Sequence, residues 1–111
     1  MNVDELAKKM LVDFKLLEQN NIIPFLKKEF GVVNSAYFLG QGIDQGVDIY
    51  TYLVNGKYVI EFDVSRMDNT ITKNEIISVE EYAKTIQGKG KTKKDARDNL
   101  KIVMEKANKI N

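Results

Sequence analysis

The dipeptide Asn55-Gly56 separates two stretches, residues 47–54 and 57–64, that are dominated by β-branched and aromatic residues. Asn-Gly between such runs is the strongest short-range hairpin signal, because both residues accept the positive φ of a type I′ turn, whose twist matches that of paired strands. The middle of the chain is therefore committed to an antiparallel hairpin. A two-residue turn predicts a register that sets Leu53 opposite Tyr58, Thr51 opposite Ile60, Ile49 opposite Phe62 and Val47 opposite Val64. That face is almost wholly apolar and is expected to lie on helices. The other face is then expected to carry Asp48, Tyr50, Tyr52, Val54, Val59, Glu61 and Asp63, with Asp48 opposite Asp63.

Helices are expected at both ends. Val3, Leu6, Ala7, Met10, Phe14 and Leu17 recur at helical spacing, and Asp4 and Glu5 suit the first turn, so residues 3–17 read as a core-facing helix. Asn20-Asn21 reads as a break. A second helix is expected over residues 22–30, with Pro24 in its first turn, Gly31 as its stop, and Phe25, Leu26 and Phe30 as its buried side. Residues 36–39 read as a strand and residues 40–46 as a glycine-rich loop. Residues 67–74 read as a loop. Residues 75–87 carry two signals: Ser78 with Glu81 is a capping box, whereas Ile76, Ile77, Val79, Tyr82, Thr85 and Ile86 favour strand, and the strand reading, ending near Gln87, is adopted. A last helix, N-capped by Thr92 with Asp95 three residues on, carries the stripe Ala96, Leu100, Val103, Ala107 and Ile110. The fold expected is α+β, an antiparallel sheet of three or four strands packed on N- and C-terminal helices, in the order α-α-β-β-β-(β)-α.

At 111 residues the chain is long enough for one domain, spanning residues 1–111. It has no cysteine and no histidine, which removes thiol nucleophiles, disulfides, the usual zinc ligands and any imidazole-based triad. No catalytic residue, metal site or cofactor is expected. No apolar run approaches the roughly 18 residues of a membrane span, and Asp4 and Glu5 stand where a leader would be basic, so a cytoplasmic protein without a membrane partner is expected.

The net charge of +1 conceals an asymmetry. Residues 84–109 hold nine Lys or Arg against three acids, a net +6 that leaves −5 on the rest of the chain. Its densest part is Gly88-Lys89-Gly90-Lys91-Thr92-Lys93-Lys94-Asp95-Ala96-Arg97, a glycine-punctuated basic run that opens the last helix. A helix start presents backbone N–H groups and the positive end of the dipole, so lysines there make a local site for phosphate. Lys94, Arg97 and Lys101 fall at i, i+3 and i+7 and extend it, while Lys89, Lys91 and Lys93 supply the approach. Only Arg66 and Arg97 are arginine. Lysine is a point charge suited to phosphates rather than a fork suited to base edges, so these six residues point to a nucleic-acid backbone as partner.

The segment from Gly90 to Arg97 resembles the strand-to-helix junction of double-stranded RNA-binding domains, in which a Gly-rich strand end leads to a Ser-Lys-Lys-x-Ala-Lys helix start. The resemblance implies that Lys93, Lys94 and Arg97 meet phosphates across a groove, with recognition by shape. The same segment also looks like the Gly-x-Thr-x-x-Glu-Ala-x-x-Asn-Leu turn of HicB-type antitoxins, through Gly90, Thr92, Asp95, Ala96, Asn99 and Leu100, which implies a toxin as protein partner. Gly90-Lys91-Thr92 matches the tail of a P-loop, but the leading glycine of that motif falls on Thr85, so nucleotide hydrolysis is not expected.

The alternative function is that of a small protein-binding inhibitor such as an immunity protein, an antitoxin or a phage-encoded antagonist. On the expected outer hairpin face, Tyr50 and Tyr52 stand as aromatic anchors among Asp48, Glu61 and Asp63.

Overall fold

The computed structural model describes residues 2–110. The chain divides into two compact units, Met1–Val32 and Val33–Asn111.

The first unit is helical. Helix α1, Val3–Leu17, is N-capped by Asn2, whose side-chain oxygen accepts the Glu5 N–H at 2.8 Å, and Asp4 and Glu5 lie at the positive end of its dipole. The expected break at Asn20-Asn21 is instead a π-helical turn, Glu18–Ile22, that runs on into α2, Ile23–Phe30. Proline lacks an N–H, and in a regular α-turn its ring crowds the carbonyl four residues back. The wider turn before Pro24, in which the Ile23 N–H donates to the Glu18 carbonyl, takes up that misfit. Helix α2 stops as expected at Gly31, whose N–H donates to Lys27 O at 2.8 Å. Ile22 and Leu26, one turn apart, are fully buried, with Phe25 and Phe30 half-buried. Helix α1 departs from expectation, for none of its residues is buried and Val3 and Met10 are 82% and 63% exposed. A helix that continues into its neighbour rather than folding back leaves its stripe without that neighbour to pack on.

The second unit is a four-stranded antiparallel meander followed by two helices. Strands β1 (Ala36–Asp44), β2 (Val47–Val54), β3 (Tyr58–Ser65) and β4 (Ile71–Ser78) lie in the order β1-β2-β3-β4, and α3 (Val79–Thr85) and α4 (Lys91–Ile110) follow. The α+β class is as expected. Strand β1 runs on into the expected glycine-rich loop as far as Asp44, leaving residues 45 and 46 as the turn, and Leu39 bulges out between Phe38, paired with Tyr52, and Gly40, paired with Thr51. The carbonyl of Leu39 accepts from Asn99 Nδ2 at 3.3 Å, which ties α4 to β1.

The central hairpin forms, one residue out of the expected register. Asn55 and Gly56 take φ of 57° and 67°, and the Lys57 N–H donates to Val54 O at 3.1 Å, as a type I′ turn requires. Lys57 is nevertheless left out of the ladder, and Val54 pairs with Tyr58. Neighbouring segments claim the turn: Asn55 N–H donates to Ser35 O at 2.8 Å, Asn55 Oδ1 accepts from Asn34 N–H at 2.7 Å, and Lys57 O accepts from Val79 N–H at 2.9 Å. Since side chains alternate with a period of two, the slip exchanges the faces of one strand relative to the other. Tyr50 now pairs with Phe62 and Tyr52 with Ile60, whereas Leu53 pairs with Val59, Thr51 with Glu61 and Ile49 with Asp63. The expected Asp48–Asp63 opposition does not occur. Asp48 stands opposite Val64 and receives Arg66 Nη2 at 3.0 Å.

One face of the sheet builds a core with the two helices. Leu53, Val59, Val79, Val103 and Ala107 are buried there, and Tyr37, Leu39, Ile77, Tyr82, Leu100 and Met104 pack against them. Full burial of a valine or leucine side chain contributes about 1.5–3 kcal/mol. The opposite face carries four interlocked rings: Phe38 meets Tyr50 and Tyr52 edge-on at 6.2 and 5.9 Å, and Phe62 lies 5.9 and 5.8 Å from the same two tyrosines.

Residues 67–87 correct the sequence reading twice. The turn after β3 is tighter than expected: Ser65 N–H donates to Thr70 O and Asn69 N–H to Ser65 O, both at 2.9 Å, so β4 begins at Ile71. The strand then ends at Ser78 rather than near Gln87. Ser78 Oγ accepts the Glu81 N–H at 3.1 Å and the Glu81 carboxylate accepts the Ser78 N–H at 3.5 Å, so the capping box starts α3 against the β propensity of the residues that follow. No helix among the described residues is long and apolar enough to cross a membrane.

Two substitutions test these contacts. Ser78→Ala should lower unfolding stability by about 1 kcal/mol in urea titrations, and Phe62→Ala, which removes the ring shared by Tyr50 and Tyr52, by about 3–5 kcal/mol.

Candidate nucleic-acid interface

The basic run forms the link between α3 and α4 and the first turns of α4. The helix starts at Lys91, one residue ahead of the Thr92 cap expected from sequence, with Gly90 O accepting the Lys94 N–H at 3.1 Å. Thr92 and Asp95 therefore sit inside the helix and do not form a capping pair. Asp95 instead meets Lys91 Nζ at 3.4 Å, an exposed i, i+4 contact of little energetic weight.

Lys89, Lys91, Lys93, Lys94 and Lys101 are all exposed. Four of them fall within the six residues 89–94, at the end of α4 where N–H groups have no intrahelical partner and the dipole is positive. Lys94 and Lys101, seven residues apart, share a face with Asp98 and Glu105, so the outward side of α4 beyond its first turns is mixed in sign. The concentrated positive charge is on the link and the first two turns.

Arg97 is placed differently. Its Nη1 donates to Ile86 O at 2.8 Å and to Gly88 O at 2.9 Å, and it is half-buried. The guanidinium thus closes the α3–α4 link over the helix that follows. Gly88, at a φ of 115°, has the backbone that lets its carbonyl face Arg97, and a Cβ there would meet the Lys93 side chain at 3.6 Å. The sequence placed Arg97 beside the lysines as a phosphate contact; its geometry joins it to the backbone of the link that leads to them. Asn99, a residue of the antitoxin-like pattern, is likewise engaged, with the Leu39 carbonyl.

The junction before α4 is helix-to-helix. The double-stranded RNA-binding resemblance rests on a strand leading directly into the basic helix, and here α3 and the link lie between β4 and α4.

The hairpin residues are divided between two faces. Tyr50 and Tyr52, 4% and 0% exposed, belong to the aromatic cluster with Phe62, and Asp48 lies on their face against Arg66. Burial, and then the Asp48 charge, push the Tyr50 phenol above its ordinary range, with Arg66 pulling the other way. Glu61 and Asp63 are on the opposite face, joined through Asn74, whose Nδ2 donates to Glu61 at 3.4 Å and to Asp63 at 2.6 Å. The one-residue slip is the reason the five residues do not share an outward surface.

If Arg97 positions the link, Arg97→Ala should lower stability by about 1–3 kcal/mol, because two charge-assisted hydrogen bonds are lost. Lys93→Ala and Lys94→Ala, on exposed positions, should stay within about 0.5 kcal/mol of the parent protein in the same denaturation experiment. No known protein family, curated protein or solved structure matches this chain.

Proposed function

We propose that this chain is a non-catalytic binding module that contacts the phosphate backbone of a nucleic acid through Lys89, Lys91, Lys93, Lys94 and Lys101, with Arg97 as the positioning residue. The observation that supports the reading is the crowding of four exposed lysines onto residues 89–94, at the positive end of a 20-residue helix. Lysines on a glycine-punctuated link lose little packing when they turn toward a ligand, and each phosphate they neutralise releases condensed counterion. The scarcity of arginine in the segment favours contact with phosphate oxygens over reading of base edges.

Binding to duplex RNA or DNA, followed by fluorescence anisotropy, should fall linearly on a log–log plot against salt, with a slope near −4 for about four phosphates neutralised. That corresponds to a loss of about two orders of magnitude between ~50 and ~200 mM salt. The Lys93→Glu, Lys94→Glu double variant should lose binding while keeping its thermal transition. Absence of binding to either duplex at low salt removes the proposal.

A further inference from the structure

On the face of the sheet that carries α3, a cavity of about 260 Å³ opens between β2, β3, β4 and that helix. Its floor is the cross-strand row Thr51, Glu61 and Glu75, each opposite the next in the ladder. One step along the strands the pair Val59 and Ile77 makes an apolar wall, and Tyr82 and Thr85 of α3 close the other side.

Glu61 and Glu75 stand directly opposite one another, a pairing that destabilises a sheet when nothing lies between the charges. Neither carboxylate has a cationic partner among the described residues. Glu61 takes only the long 3.4 Å bond from the Asn74 amide. The remaining wall is unlike that of a hydrated acidic surface: the half-buried Tyr82, with Val59 and Ile77, lines it with apolar area, and burial raises the Tyr82 phenol above its ordinary range. Two carboxylates at one end of a short apolar trough match a cation on a hydrocarbon stem.

We propose that this cavity binds a protonated alkylamine, with its ammonium between Glu61 and Glu75 and its stem against Val59, Ile77 and Tyr82. The volume lies below the roughly 300–1,000 Å³ of sites for drug-sized ligands, so it suits one extended amine and not a nucleotide. A divalent metal ion is a poorer match. No group of three His, Cys, Asp or Glu converges among the described residues, and calcium takes six to eight oxygens. An ammonium has three donors, which the two carboxylates and Thr51 Oγ1 can accept, and it keeps its stem in apolar contact.

The same chemistry is carried by a free diamine and by a lysine side chain of a partner protein. Amide chemical shifts of the full chain, recorded during titration with cadaverine, with Nα-acetyl-lysine methylamide and with n-pentanol, separate these cases. Saturable shifts at Thr51, Glu61, Glu75 and Tyr82 are expected with an amine and not with the alcohol, and whichever amine binds more tightly identifies the source. Glu61→Gln with Glu75→Gln should weaken binding about tenfold or more, and Glu75→Gln alone, at an exposed edge-strand position, provides the milder variant whose spectrum reports an intact fold. Lack of saturable shifts with both amines, equal binding of the alcohol, or unchanged affinity in a folded glutamine variant overturns the proposal.

Discussion

The turn at residues 55–57 holds the second unit together. Its side chain and backbone bond in three directions: into residues 34 and 35 through Asn55, across the hairpin through Lys57 N–H, and to the first residue of α3 through Lys57 O. A free Asn-Gly hairpin would place Val54 opposite Lys57. Here Lys57 faces away to serve α3, and every later pair in β2 and β3 is displaced by one. The entry to β1, the hairpin register and the start of α3 therefore depend on a single three-residue connection, and with them the choice of which side chains meet on each face.

This dependence explains what was legible in the sequence. Elements written as local patterns were readable: the period of α1, the Asn-Gly turn itself, the apolar stripe of α4 and the stop at Gly31. Features set by partners distant in sequence were not. Nothing around Lys57 reveals that its carbonyl is claimed by Val79, so local pattern alone predicts a register one residue away from the real one and puts the two tyrosines on an outer face. The capping box at Ser78 was visible but was outweighed by β propensity, although two satisfied end groups on a helix decide more than the weak preferences of Ile86 or Thr85. Glycines 40 and 42 resembled a loop because the bulge at Leu39 that carries them into a strand is stabilised by Asn99, sixty residues away.

The charged segment shows the same division. The lysines could be placed on an exposed helix start from composition and spacing alone. The inward turn of Arg97 could not, since its acceptors are carbonyls, which look the same in every sequence. A cluster of basic residues thus separates into exposed lysines and an arginine that bonds the backbone of the link, and only hydrogen-bond geometry tells them apart. The acidic row on the sheet is invisible in the sequence for a related reason. Glu61 and Glu75 are fourteen positions apart and become neighbours only through the β3–β4 register.

The bulges at Leu39 and Asn74 lie on the two outer strands, β1 and β4. An open meander exposes a row of amides and carbonyls along each rim, a template on which another chain could add a strand. A bulge breaks the even spacing of that row and sharpens its twist. Both rims of this sheet are interrupted in that way, and β4 adds the charges of Lys73 and Glu75 beside its break. The two breaks thus work against strand addition at either rim of a sheet that is not closed into a barrel.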